Sequence, residues 1–352
     1  MSGMGQGTDV KIKERDSYYC NLKLLLLFLV VYGHTIEGFI DSFETAAQLY
    51  RVIYAVHMPL FLFLSGLFLK DGTSCLRQMK QMFFYYGAIQ SVTVLVGRAA
   101  GVSFRLGTPV WHLWYLLSLG CMAALGWFWY ALAGRLIWLN RGIVKIVLIA
   151  VAIMGVCLVG ECPIVGRWMS LSRTICFLPY FLSGLFCPRE IPWERWGFRM
   201  LGLAGLICFL GIYLNWGCRM PVGLFYQADS YQAVGVPEAG AFLRLLYLCM
   251  GFALGVFLLA FTSRRRFPFS KVGADTLWIY LLHAPLVKLF GYPGISEQVK
   301  ILISPFIAIF VMLFLYKLFQ WRHPMYALPI VKKIGQKRSN DGRNTSQKGR
   351  YT

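Results

Sequence analysis

Lys23 and His34 lie eleven residues apart in one unbroken apolar run. At 100° per residue this is three turns plus about 20°, so both side chains project from one helix face, about 16 Å apart along the axis. An imidazole moves protons near neutral pH, and an ammonium binds phosphate or another anion. Glu37, three residues beyond His34, reaches the adjoining face and is placed to orient the ring. Three other histidines, His57, His112 and His283, also sit in or at the edge of apolar runs, and Arg51 and Arg173 stand at the ends of the His57 run and of one more. Ionisable groups cost so much in hydrocarbon that such positions mark functional sites by default. The structural alternatives are that Lys23 snorkels to the headgroups, that His112 joins Trp111 and Trp114 in an interfacial belt, and that Glu37 is a solvated loop carboxylate.

The elements that carry these residues are spans. The hydrophobic fraction is 58%, the charged fraction 14% and the mean hydropathy +0.59, against roughly 45–50% and about 25% for soluble domains. The apolar residues gather in ten blocks, approximately 19–39, 51–69, 81–97, 111–131, 143–160, 171–187, 198–216, 241–262, 272–290 and 301–320. Each approaches the roughly 20 residues a helix needs to cross a bilayer. The runs are continuous rather than alternating, which excludes a transmembrane β-barrel. The expected fold is an all-α, polytopic integral membrane bundle of about ten transmembrane helices with both termini cytoplasmic. It divides into a cytoplasmic segment at 1–18, a membrane domain at 19–322 and a basic, disordered cytoplasmic tail at 323–352.

The net charge of +20 reports topology rather than nucleic-acid binding. With the N-terminus inside, alternate joints hold 24 Lys and Arg on the inner side and 9 on the outer, which is the positive-inside bias. The ten cysteines are scattered and form no CxxC pair, so neither a metal site nor a disulfide framework is expected. The first run ends in Gly-His-Thr-Ile-Glu, without a small-residue cleavage site, so no cleaved leader is expected. This topology puts His34, Arg51, His57, His112 and Arg173, from four separate helices, at one depth near the outer face. Distance in sequence with equality in depth is the signature of a site.

At these residues the chain resembles the membrane-bound acyltransferase-3 family, in its fucose 4-O-acetylase-like branch, over about 16–322. Asn21-Leu22-Lys23, ten residues and His34 match a basic-x10-His motif, and His57-Met58-Pro59 through Ser65-Gly66 match a His-Met-Pro-hydrophobic-Ser-Gly signature. Trp111-His112-Leu113-Trp114-Tyr115-Leu116, Arg173-Thr174 with Phe177 and Pro179, and Tyr280-Leu281-Leu282-His283 are similar to three further elements, in order. Two departures stand out. Asn21 occupies a position where many members carry Asp, and Tyr115 replaces a commoner Phe, which reads as a packing difference.

The resemblance implies O-acetylation: transfer of an acyl group, usually acetyl from acetyl-CoA as co-substrate, to a hydroxyl of a carbohydrate acceptor on a surface glycan. No tightly bound cofactor is implied. His34 would be the base with Glu37 beside it, and Lys23, Arg51, His57, His112, Arg173, Tyr280 and His283 would bind acyl-CoA or acceptor. The implied setting is the cell membrane, with acyl-CoA, the acceptor and the bilayer as partners and no nucleic acid. The rival is a transporter or exporter using an intramembrane His/Arg site. The topology predicts that cysteine-accessibility mapping will find loop 37–50 outside and Arg264–Arg266 inside; both on one side would overturn it.

Overall fold

The computed structural model describes residues 3–102, 104, 107–133, 140–274, 276–289 and 296–322. The basic tail expected at 323–352 lies outside them. The helices are α1 (Gly3–Ile36), α2 (Glu44–Phe68), α3 (Gly72–Ala99), α4 (Trp114–Ala133), α5 (Arg141–Leu158), α6 (Leu171–Phe186), α7 (Trp196–Asn215), α8 (Val222–Phe225), α9 (Gly240–Phe261), α10 (Thr276–Leu289) and α11 (Glu297–Arg322). The protein is a polytopic helical membrane protein, in which eight stretches of described helix are long and apolar enough to cross a bilayer.

Two of the ten expected spans fall short of that standard, for different reasons. The α3 helix has the length, 28 residues, but its sequence includes Gln78, Lys80, Gln81, Gln90 and Arg98. The α10 helix is apolar, and its described part covers 14 residues. It packs between α1 and α11, with Tyr280 and His283 buried in the bundle.

The α2 and α6 helices form the centre. Of their most apolar stretches 67% and 61% are buried, against 17% for α5 and for α7. The outward faces of the peripheral helices carry Ile146, Ile207, Leu302 and Phe306 fully in the open, as lipid-facing residues must be. Around the central pair, α1, α10 and α11 pack on one side, and α9 and α7 on another. The α3–α4 pair and α5 complete the ring.

Lipid tails are as apolar as leucine, so helices in a bilayer associate through close packing and hydrogen bonds. The α2–α6 crossing shows the closest approach. A Cβ on Gly184 would overlap the Phe63 carbonyl, and one on Gly66 the Phe181 carbonyl. Each glycine lets the other helix's backbone lie against its own. Pro59 in α2 and Pro179 in α6 free carbonyls one turn earlier.

Side chains lock the remaining joins. The Asn21 amide donates to the Ser263 and Arg265 carbonyls, both at 2.8 Å, and its oxygen accepts from Ser270. A carboxylate could not donate those two bonds, which explains Asn at this position.

Gly184→Ala is expected to lower the unfolding midpoint in detergent, since overpacking costs about 1–3 kcal/mol. Gly184→Leu is expected to prevent accumulation. An unchanged midpoint for the Ala variant would show slack at the crossing.

Candidate active site

A cavity of about 700 Å³ opens at the end of the bundle that carries the α1–α2 connection. Helices distant in sequence supply its walls: His34 and Glu37 from α1 and its extension, Tyr54 and His57 from α2, and His112 and Trp114 from the start of α4. Arg173 and Phe177 come from α6, Tyr247 from α9, Tyr280 and Lys288 from α10, and Lys300 from α11. Phe225 and Tyr226 close it from the segment between α7 and α9.

His34 and Glu37 meet. The ring Nδ1 lies 3.1 Å from the Glu37 carboxylate, and the two side chains are 21% and 41% exposed. A carboxylate only accepts, so Nδ1 carries the hydrogen, and in the neutral ring Nε2 then presents a lone pair.

The other three membrane histidines each spend an N–H on a backbone carbonyl. His57 Nδ1 donates to Ile53 at 2.6 Å, His283 Nδ1 to Tyr280 at 2.6 Å and His112 Nε2 to Leu281 at 3.1 Å. The His283 ring stands 5.1 Å from those of His34 and His112. It is fully buried and lies behind the cavity wall rather than on it. His283 Nε2 and His112 Nδ1 have no hydrogen-bond partner among the described residues. No three His, Cys, Asp or Glu side chains among those residues converge as metal ligands.

One residue expected near the acceptor lies elsewhere. Arg51 is a tie: its Nε donates to the Met220 carbonyl at 3.0 Å and its Nη1 pairs with Glu44 at 3.2 Å. Lys23 stands toward the opposite end of the bundle, its Nζ 4.6 Å from the centre of the Phe68 ring. Arg189 reaches the same ring at 5.5 Å and caps α2 by donating to the Leu67 and Phe68 carbonyls. The expectation that Tyr115 differs from Phe only in packing is corrected. Its hydroxyl lies 3.1 Å from Ser65 Oγ, joining two of the motifs.

The segment between α7 and α9 is fastened over the cavity by its carbonyls. Arg173 Nε donates to Tyr226, Ser172 to Gln227 and Arg244 Nη2 to Asp229, at 3.0, 2.8 and 2.7 Å. The Asp229 carboxylate takes Arg167 bidentately at 2.7 and 2.8 Å, and this hydrogen bond raises the Arg167 pKa above its ordinary value. Tyr231 is buried against Gly160 and Gly240 and donates to Cys157 O at 2.7 Å. Its hydroxyl is pushed up to about 12 by burial. Arg173 has a second role, with its guanidinium 5.0 Å from the centre of Trp114, on which Phe177 also stacks.

Sequence reasoning did not single out Tyr54, Arg167, Tyr247, Lys288 or Lys300. The two lysines were visible only as loop charges in the topology count.

The fold and this polar cavity define a multi-pass membrane enzyme. The sequence model of the acyltransferase domain of the acyltransferase-3 family matches residues 17–319, and the chain belongs to that family. It is an acyltransferase, which sets the transporter alternative aside. No curated protein and no solved structure matched the chain.

Ser172→Ala combined with Arg244→Met should loosen the fastened segment. Each lost bond is worth about 1 kcal/mol net, so hydrogen exchange of amides 224–231 should speed up roughly thirtyfold. Unchanged exchange would show that the segment is held by other contacts.

Proposed function

We propose that the protein moves an acyl group, acetyl in the simplest case, from acyl-CoA to a sugar hydroxyl. The acceptor would be a surface or lipid-linked glycan on the extracytoplasmic side of the cell membrane, as in the fucose 4-O-acetylase-like branch. The observation that carries this reading is the His34–Glu37 pair on the cavity wall. Of the four membrane histidines, only His34 gives its N–H to a carboxylate among the described residues. A carbonyl bears only a partial charge, whereas a carboxylate compensates the full charge of an imidazolium.

A sugar hydroxyl is a weak nucleophile and needs a positioned base. His34 Nε2 takes the hydroxyl proton as the oxygen attacks the thioester carbonyl. The new C–O bond forms, the C–S bond breaks, and the imidazolium returns the proton to the leaving thiolate. Arg173, on the same cavity, is placed to steady the oxyanion that develops at the carbonyl, whereas His57 has spent its N–H on the Ile53 carbonyl.

Donor and acceptor would enter from opposite ends. Val30, on the cavity wall, is seven residues from Lys23, or about 10 Å along α1. A pantetheine arm would cover that stretch with its phosphates beside Lys23 and Arg189.

His34→Ala should reduce transfer by roughly 10²–10⁴ while acyl-CoA still binds. Lys23→Ala should raise the KM for acyl-CoA more than it lowers kcat, because a phosphate contact far from the carbonyl is largely uniform binding. A stably inserted His34→Ala protein with near-normal transfer would remove this mechanism.

A further inference from the structure

The cavity's charge is unbalanced. Among the described residues Arg167, Arg173, Lys288 and Lys300 line it, against one lining carboxylate, Glu37. Arg167 is neutralised by Asp229, and Glu37 offsets one of the other three cations, which leaves an excess of two. Arg173 bonds a backbone carbonyl and stacks on Trp114, and neither contact removes its charge. Lys300 approaches the Phe39 ring at 5.9 Å, which is likewise a neutral partner. Lys288 adds a third cation from the neighbouring helix. Clustered cations in a low-dielectric cleft repel one another unless an anion joins them, and they concentrate anions at its mouth.

We propose that the acceptor sugar is anionic, with its carboxylate or phosphate held by Arg173, Lys288 and Lys300 while its hydroxyl meets His34. This rests on the acyl-transfer reading above and adds the acceptor's chemical class. The walls suit such a ligand. Tyr54 and Tyr226 give aromatic surface for the sugar body, and the cations stand on the side of α6, α10 and α11. The donor's phosphates are the competing anion. Lys23 and Arg189, at the far end of the bundle, give them a separate place.

The test uses the full-length protein in detergent with acetyl-CoA and three acceptors: a neutral methyl hexoside, the matching methyl uronide and the matching hexose 1-phosphate. An acidic acceptor should show a kcat/KM at least about tenfold above the neutral one, the worth of one charge-assisted contact. That advantage should shrink as salt rises from 50 to about 500 mM. Preference for the uronide identifies a carboxylate acceptor, and preference for the phosphate a phosphorylated one. Lys288→Gln with Lys300→Gln should raise the KM for the acidic acceptor about tenfold or more while leaving the neutral one within twofold.

Equal kcat/KM for all three acceptors overturns the proposal but leaves acyl transfer standing. So does a rise confined to the KM for acetyl-CoA in the double variant, which would assign the cations to the donor. If the double variant fails to accumulate, the wild-type acceptor and salt comparisons decide alone. Transfer to none of the acceptors, with acetyl-CoA bound, would count against the acyl-transfer reading itself.

Discussion

Two helix backbones in contact set the geometry on which the site depends. Gly66 and Gly184 let α2 and α6 meet carbonyl to Cα, and that crossing fixes the relation between His57 on one helix and Arg173 on the other. The contact has no hydrophobic drive behind it, because the alternative partner is lipid. Shape and dispersion must hold it, and both fall away within a fraction of an ångström. The cavity stays open because the pair touch at one level and carry large side chains, Tyr54 and Phe177, at another.

Hydrogen bonding then decides which charged residues face the cavity and which act as structure. A guanidinium in the bundle must find acceptors, and the nearest are carbonyls released at helix ends and in loops. Arg51, Arg189 and Arg244 all solve the problem this way, bonding Met220, Leu67 and Asp229 carbonyls. Arg173 bonds the Tyr226 carbonyl through Nε and yet remains on the cavity wall. The same residue type at similar depth thus fastens a loop in one place and serves a site in another.

This difference marks what was legible in the sequence. The spans were visible because hydropathy is a property of the residues themselves. So was the Lys23–His34 face, because one helix's periodicity is fixed, and Glu37 was within reach for the same reason. Depth was legible too, through the alternating charge of the joints. Azimuth was not: nothing in the local sequence says which side of α2 meets α9, so Arg51 and His57, less than two turns apart, could not be separated into tie and cavity wall. His283 illustrates the same gap, since its motif position gave its level but not its place behind the wall. Lys288 and Lys300 escaped notice because a basic residue near a helix end is what topology alone would put there.

The histidine tautomers carry the argument one step further. A ring that donates from Nδ1 to the carbonyl a turn earlier, as His57 and His283 do, is oriented by its own helix, so its direction is fixed wherever that helix goes. His34 bonds forward instead, to a carboxylate just beyond the end of its helix. Its orientation depends on the turn at 37–39, and its partner is a full charge rather than a dipole. A group that must gain and lose a proton in each cycle needs a partner that gains energy when it does, and among these histidines the forward-facing one alone has it.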